Sequence, residues 1–298
     1  MKGLGNLIRR NCKLFFKDKG MLFTSLITPV ILLVLYTTFL AGIYRDSFRG
    51  ALPETMAVSA SLINATVGGQ LVSSLLAVSC VTVAFCSNLL MVQDKVSGAR
   101  RDLSVTPVKR STLAIGYFGA SALTTLAING VGLGACLLYL AKTGWYLSVG
   151  DVLLLLSDVV LLTLFGVALS SCIHFFLSTG GQASAVGTVV SAGYGFICGA
   201  YMPISNFSEG LQRMLSFLPG TYGTSLLRNH ALRGVYAEME AVGFPSEVIE
   251  GIRDSVDCNL YFFGNKVELP AMYAVLAGSV ILLTALYVGI HQWKTRRA

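Results

Sequence analysis

The amino-acid sequence predicts an all-α integral membrane protein: six transmembrane helices, an N-terminal interfacial amphipathic helix, and an outer hairpin between spans 5 and 6. Three observations predict it. Of 298 residues, 54% are hydrophobic and only 12% charged, with a mean hydropathy of +0.69, which leaves too few charges to cover a soluble globule. The apolar residues gather in runs free of Lys, Arg, Asp and Glu, at 20–44, 55–93, 111–141, 159–208 and 269–293. Lys and Arg crowd into alternate segments between those runs, the asymmetry that orients membrane helices.

The chain opens with LGNLIRRNCKLFFKDKG, where Leu4, Leu7, Ile8, Leu14 and Phe15 recur at helical spacing among Arg9, Arg10, Lys13 and Lys17. This pattern suits a helix lying in the membrane interface, over residues 1–20. No small-residue cleavage site follows the first span, so that span is expected to be retained. About 20 apolar residues cross a bilayer as a helix, which places spans near 21–43, 60–92, 112–140, 152–173, 182–202 and 270–292, a six-span unit over 21–298. The long run 159–208 holds two spans, divided at HFFLSTGGQ (174–182).

Charge sets the orientation. Lys2, Arg9, Arg10, Lys13, Lys17 and Lys19 oppose Asp18 alone; 93–111 carries five bases and two acids; the tail holds Lys294, Arg296 and Arg297. These segments are expected in the cytoplasm, with both termini, in a multi-pass protein of the cell membrane. The segment 203–269, with five bases and eight acids, is then extracellular. Orientation and anionic membrane lipid account for the net charge of +7, and no nucleic-acid partner is required. Of seven cysteines only Cys258 falls in the outer segment, so reduced, structural cysteines are expected.

In span 2, Ser59, Thr66, Gln70, Ser73, Ala77, Cys80, Ala84 and Ser87 form a small or polar stripe that should avoid lipid. It suits either a substrate path, a subunit seam or packing within the chain. Span 5 carries an i, i+4 ladder, Ala183, Gly187, Ser191, Gly195 and Gly199, the pattern that lets helix backbones approach closely. Asp158 lies seven residues past Asp151, about 10 Å along a helix. It needs a partner or water inside the bilayer, or reaches the outer headgroups. His174 sits at the inner end of span 4. His174, His230 and His291 fall in three separate regions, and with no HExxH, CxxC or GxSxG pattern the sequence offers no metal site or nucleophile elbow. The only Lys-Ser/Thr pairs, Lys142-Thr143 and Lys294-Thr295, lack the glycines of a phosphate-binding loop.

Between spans 2 and 3 stands QDKVSGARRDLSVTPVKRS. Asp94, Lys95, Arg100, Arg101 and Asp102 are expected on one side of a short amphipathic segment over 94–106, with Val96, Ala99 and Leu103 on the other. Thr106-Pro107 ends it, because the residue before proline is pushed out of helical geometry. Such a segment suits a soluble partner, or serves only as a topology signal.

Three stretches resemble the membrane subunits of ATP-binding-cassette exporters of the ABC-2 type. FFKDKGMLFTSLITPVILLVLY (15–36) is similar to the family's opening, a basic interfacial helix followed by a span with an early proline, here Pro29. QDKVSGARRDLSVTPVKR resembles its cytoplasmic motif at Asp94, Lys95, Gly98, Leu103, Thr106, Pro107 and Arg110. It departs at Ala99-Arg100-Arg101-Asp102, where the family has Thr and a further acid, which alters the charge pattern. The stretch 196–234 resembles the end of span 5 and the outer hairpin at Gly199, Pro203, Leu218-Pro219, Arg228 and Gly234.

The resemblance implies a permease subunit that is not itself an enzyme. It would pair with a second permease chain, as homodimer or heterodimer, and dock a separate ATPase subunit that holds the ATP and Mg, leaving no cofactor on this chain. The ATPase-coupling residues it implies are Asp94, Lys95, Gly98, Arg101, Leu103, Thr106 and Pro107, with Arg9, Arg10 and Lys17 of the N-terminal helix. A substrate path or subunit seam would involve Ser59, Thr66, Gln70, Ser73, Ser87, Gly187, Ser191 and Gly195. The cargo is expected to be a drug, an antimicrobial peptide or a lipid-like amphiphile. A lipid-linked polysaccharide is the alternative, although the aromatic residues form no ladder. A secondary transporter would need intramembrane charge pairs, and a membrane enzyme clustered His, Asp or Cys. The acidic stretch 238–257 matches nothing in the pattern.

Overall fold

The computed structural model describes residues 2–51, 58–106 and 108–293. Helix α1 (Lys2–Lys17) ends at Asp18, whose carboxylate caps α2 (Lys19–Leu35) by accepting the Met21 N–H at 3.1 Å. Through a π turn at Tyr36–Leu40, α2 runs into α3 (Ala41–Ala51). Then come α4 (Ala60–Ser87), α5 (Leu89–Val96), α6 (Ala99–Ser104) and α7 (Arg110–Thr143). A capping box between Ser148 and Asp151 starts α8 (Val149–Phe176), and another between Thr179 and Gln182 starts α9 (Gly180–Ile197). A 3-10 turn (Ile204–Asn206), α10 (Glu209–Leu215), α11 (Pro219–Ala241) and α12 (Ser246–Ser255) follow. A hairpin, β1 (Tyr261–Phe262) with β2 (Asn265–Lys266), turns at Phe263 and Gly264, both at positive φ. The last helix is α13 (Leu269–Trp293).

Among the described residues, five helices are long and apolar enough to cross a membrane: Lys19–Gly50, Ala60–Val96, Arg110–Thr143, Val149–Phe176 and Leu269–Trp293. The helix expected as span 5 is α9, which is not among them and stops at Ile197 rather than 202. Gly199 at φ 74 reverses the chain there, and the Ala200 and Tyr201 N–H groups both turn back to the Gly195 carbonyl.

Helix α4 is the hub. Its apolar window is 94% buried, against 17% for the α2–α3 helix and 11% for α13, and α2, α7, α8, α9 and α11 all pack on it. Lipid is as apolar as leucine, so close backbone approach drives such packing. Gly166 of α8 shows it: a Cβ there would lie 2.8 Å from the Cys80 carbonyl oxygen. Several of the polar side chains inside pair with one another. Ser87 Oγ lies 2.5 Å from Ser121 and 2.9 Å from Thr125, and Asn129 donates to Thr163 at 3.0 Å.

The segment 203–269, read as extracellular, is partly built into the bundle. Helix α11 packs against α4, α8 and α13. Its proline, Pro219, sits in the first turn, where no N–H is needed and the fixed φ favours the helix. Leu226, Leu227, Ala231, Leu232, Val235 and Met239 are buried. Gly234 lets α11 meet the α7–α8 connection, since an added Cβ would fall 1.7 Å from the Tyr146 carbonyl oxygen.

Candidate functional site

The first candidate region lies where α1, α5, α6 and the ends of α8 and α13 gather. Helix α1 is docked on α7 rather than lying free: Leu7, Asn11 and Phe15 are buried, and Leu7 fills the space above Gly116. Arg10 grips Asp94 with both guanidinium nitrogens, at 2.6 and 3.0 Å, while Tyr117 donates its hydroxyl to Asp94 at 2.6 Å. The hydrogen bond to Asp94 pushes the Arg10 pKa further up. Lys95 extends its ammonium to the carbonyls of His174 (2.9 Å), Phe175 (2.6 Å) and Leu177 (2.6 Å), capping the C-terminus of α8 with positive charge.

This arrangement corrects the expected charged face. Asp94 is 5% exposed and Arg10 half-buried, so they join α1 to α5, and Lys95 joins α5 to α8. The single segment over 94–106 is two short helices, because Gly98 turns the chain at φ 83. Val96, expected on the inner side, is exposed. Arg9, Lys17, Arg101 and Thr106 are exposed, with Leu103 half-buried against the cluster around Tyr117. Pro107 lies outside the described residues.

The predicted path residues separate into five places. Ser73 is fully buried and donates to the Gln70 carbonyl, and Ser87 faces α7, so both pack within this chain. Ser59 caps α4, accepting the Leu62 N–H at 3.2 Å. Thr66 and Gln70 line a cavity of about 600 Å³ with Tyr44, Tyr201 and Val256. Gly187 and Ser191 line a second, largely apolar groove of about 770 Å³ between α2 and α9, with Ile27, Ile31, Phe85 and Phe196. Gly195 belongs to neither: the ring of Tyr201 occupies the place of its Cβ.

Sequence reasoning missed a buried polar layer on α11. Arg228, 1% exposed, donates to the carbonyls of Gly199 (2.5 Å) and Val256 (2.9 Å) and to Ser74 (3.2 Å), and pairs with Asp257 at 3.3 Å. Burial pushes the Asp257 carboxyl above its ordinary range, against the pull of Arg228. Asp158 does not reach outward: it is 1% exposed and accepts from His230 Nδ1 at 2.6 Å and from the Tyr273 hydroxyl. The available signal was the recurrence of Leu226, Leu227, Ala231, Leu232 and Val235 behind Pro219, a helix pattern inside the expected outer segment.

All seven cysteines are free thiols. Cys258 is only 2% exposed, and burial pushes its pKa up to about 11, so it is a poor reporter of sidedness. Ser255, one turn away, is exposed. With the orientation read from charge, Ser255→Cys is labelled by an impermeant maleimide on intact cells and Lys13→Cys only after permeabilisation; the reverse result would invert the topology.

A bundle of long apolar helices around a buried hub, with a helix docked at one end and an apolar groove on one side, defines a multi-pass membrane protein. Residues 3–231 match the family model described as ABC-2 type transporter, and the chain belongs to that family. A comparison with curated proteins finds no match.

Proposed function

We propose that this chain is the permease half of an ABC-2 exporter that moves a drug, an antimicrobial peptide or a lipid-like amphiphile outward, driven by ATP hydrolysed on a separate subunit. The observation that carries this reading is the groove between α2 and α9. Its walls are largely apolar, with Ile27, Ile31, Leu35 and Phe196 exposed along them, whereas Ser73 and Ser87 of the α4 stripe are packed inside the chain. A second permease chain closing over that face would form an enclosed apolar passage. In this reading α9 serves as the short fifth of six spans, both termini are cytoplasmic, and the ATPase subunit docks on exposed Arg9, Lys17 and Arg101. The Arg10–Asp94 and Lys95 contacts carry its movement to α7 and α8.

Gly187→Trp tests the groove. No atom lies within 4 Å of a Cβ at Gly187, so the indole enters open space and the fold is spared. The variant is expected to co-purify with its ATPase subunit while ATP hydrolysis stimulated by amphiphilic dyes or peptides falls at least tenfold, about 1.4 kcal/mol in barrier terms. Stimulation equal to the parent protein would refute the groove as the passage.

A further inference from the structure

A cavity of mixed polar and apolar lining between α8, α11, α12 and α13 shares no lining residue with the groove, and the transport reading makes no use of it. It measures about 830 Å³ and is lined by Leu154 of α8, by Asn229, His230, Arg233, Tyr236, Ala237 and Glu240 of α11, by Arg253 of α12, and by Leu269, Pro270 and Tyr273 of α13. Two of these helices, α8 and α13, cross the membrane and begin here, at Val149 and Leu269, which sets the cavity at interfacial depth.

We propose that this cavity binds a phosphate group. His230 is 4% exposed and its Nδ1 is held by Asp158 at 2.6 Å, while its other nitrogen, Nε2, has no hydrogen-bond partner among the described residues. Asp158, itself held by Tyr273, fixes the ring and leaves Nε2 as the atom available to a ligand. Arg253 likewise has a buried Nε without a partner. Its terminal nitrogens reach only Asn229 Oδ1 at 3.4 Å and Glu250 at 3.6 Å, and its guanidinium lies over the Tyr236 ring at 5.4 Å. Arg233, largely exposed, stands 3.5 Å from Asp151.

These ion pairs are looser than the roughly 2.7–2.9 Å of a direct charge-assisted hydrogen bond, so both arginines have donors to give. Two guanidinium forks and the Nε2–H of an imidazolium paired with Asp158 match the several acceptor oxygens of a tetrahedral anion better than the two of a carboxylate. Glu240 is the acid on the lining, and it is exposed at the rim. The apolar remainder of the lining, Leu154, Leu269 and Pro270, suits an acyl chain attached to that phosphate. Phosphate binding here is independent of whatever cargo the groove accepts.

Binding to the purified full-length chain in neutral detergent is measured by native mass spectrometry and by titration, with short-chain phosphatidic acid, inorganic phosphate and diacylglycerol as probes. Phosphatidic acid is expected to bind and diacylglycerol not to, and Arg233→Gln or Arg253→Gln is expected to weaken binding about tenfold each. Arg213→Gln, an exposed pair with Glu209 on α10, and Arg9→Gln on α1 leave it unchanged. Binding of inorganic phosphate with the same variant pattern assigns the site to a soluble phosphate. His230→Gln tests the imidazole. Because it disturbs the partner of buried Asp158, the exposed Arg233→Gln is the decisive variant. Equal binding of phosphatidic acid and diacylglycerol, or binding that survives Arg233→Gln and Arg253→Gln together, overturns the proposal.

Discussion

Arg228→Leu abolishes most of the folded yield and lowers the melting temperature of the detergent-purified protein more than any exposed-site substitution. Its guanidinium is the knot between α11, α4, the Gly199 turn and the end of α12. Removing it leaves the Asp257 carboxylate, 6% exposed, with only the backbone N–H groups of Ile204 and Ser205, and strands two buried carbonyls. Breaking a buried pair by deleting one partner costs about 3–5 kcal/mol. Arg228→Lys recovers little, since an ammonium cannot reproduce the fork that spans four acceptors. Adding Asp257→Asn to Arg228→Leu removes the orphaned charge and is expected to recover part of the loss. Thermal unfolding followed by tryptophan fluorescence is the measurement. A melting temperature for Arg228→Leu within a degree or two of the parent would show that the layer is dispensable.

Asp94→Asn is the second large effect, and it falls on coupling rather than on insertion. The bidentate grip from Arg10 and the hydroxyl bond from Tyr117 both end on this carboxylate. A hydrogen bond to a charged group contributes about 1.5–3 kcal/mol, and the lower figure applies because Arg10 is a third exposed. The variant is expected to reach the membrane in normal amount, to retain its ATPase subunit, and to lose several-fold of substrate-stimulated hydrolysis. Amide hydrogen exchange along α1 rises in parallel. Arg101→Glu gives the opposite pattern, with α1 protected as in the parent and the ATPase subunit lost. Identical exchange and stimulation in Asp94→Asn would remove the Arg10–Asp94 contact from the coupling route.

The all-helical membrane class, the N-terminal amphipathic helix and most of the spans were legible because each rests on local hydropathy. The break at 174–182 was legible too, whereas α8 begins at Val149, ahead of the start at 152 expected just after Asp151. The roles of Asp94 and Lys95 were not. A charge run reads as a solvated face, and only tertiary structure reveals that Arg10, 84 positions away, and the α8 carbonyls take those charges inward. The stripe of α4 left path, seam and packing open for a related reason: small and polar residues at helical spacing mark close packing equally well against the same chain or another. Helix α11 was obscured by its own complement of Arg228, His230 and Arg233, which lowers hydropathy at the place where the structure needs polarity. Asp158 was recognised as requiring a partner, but His230 lies 72 positions away.

The burial of α11 bears on how the protein is made. It emerges from the ribosome after α4 and α8, carries an arginine and a histidine that lipid rejects, and is not among the helices apolar enough to cross on their own. It therefore has no stable place until the hub and α8 are already in the membrane to receive Arg228 and His230. Tyr273, which completes the Asp158 cluster, arrives later still with α13. Maturation of this membrane protein is thus timed by the final third of its chain, and a quality-control protease that samples nascent membrane proteins would find α11 exposed until synthesis is nearly finished.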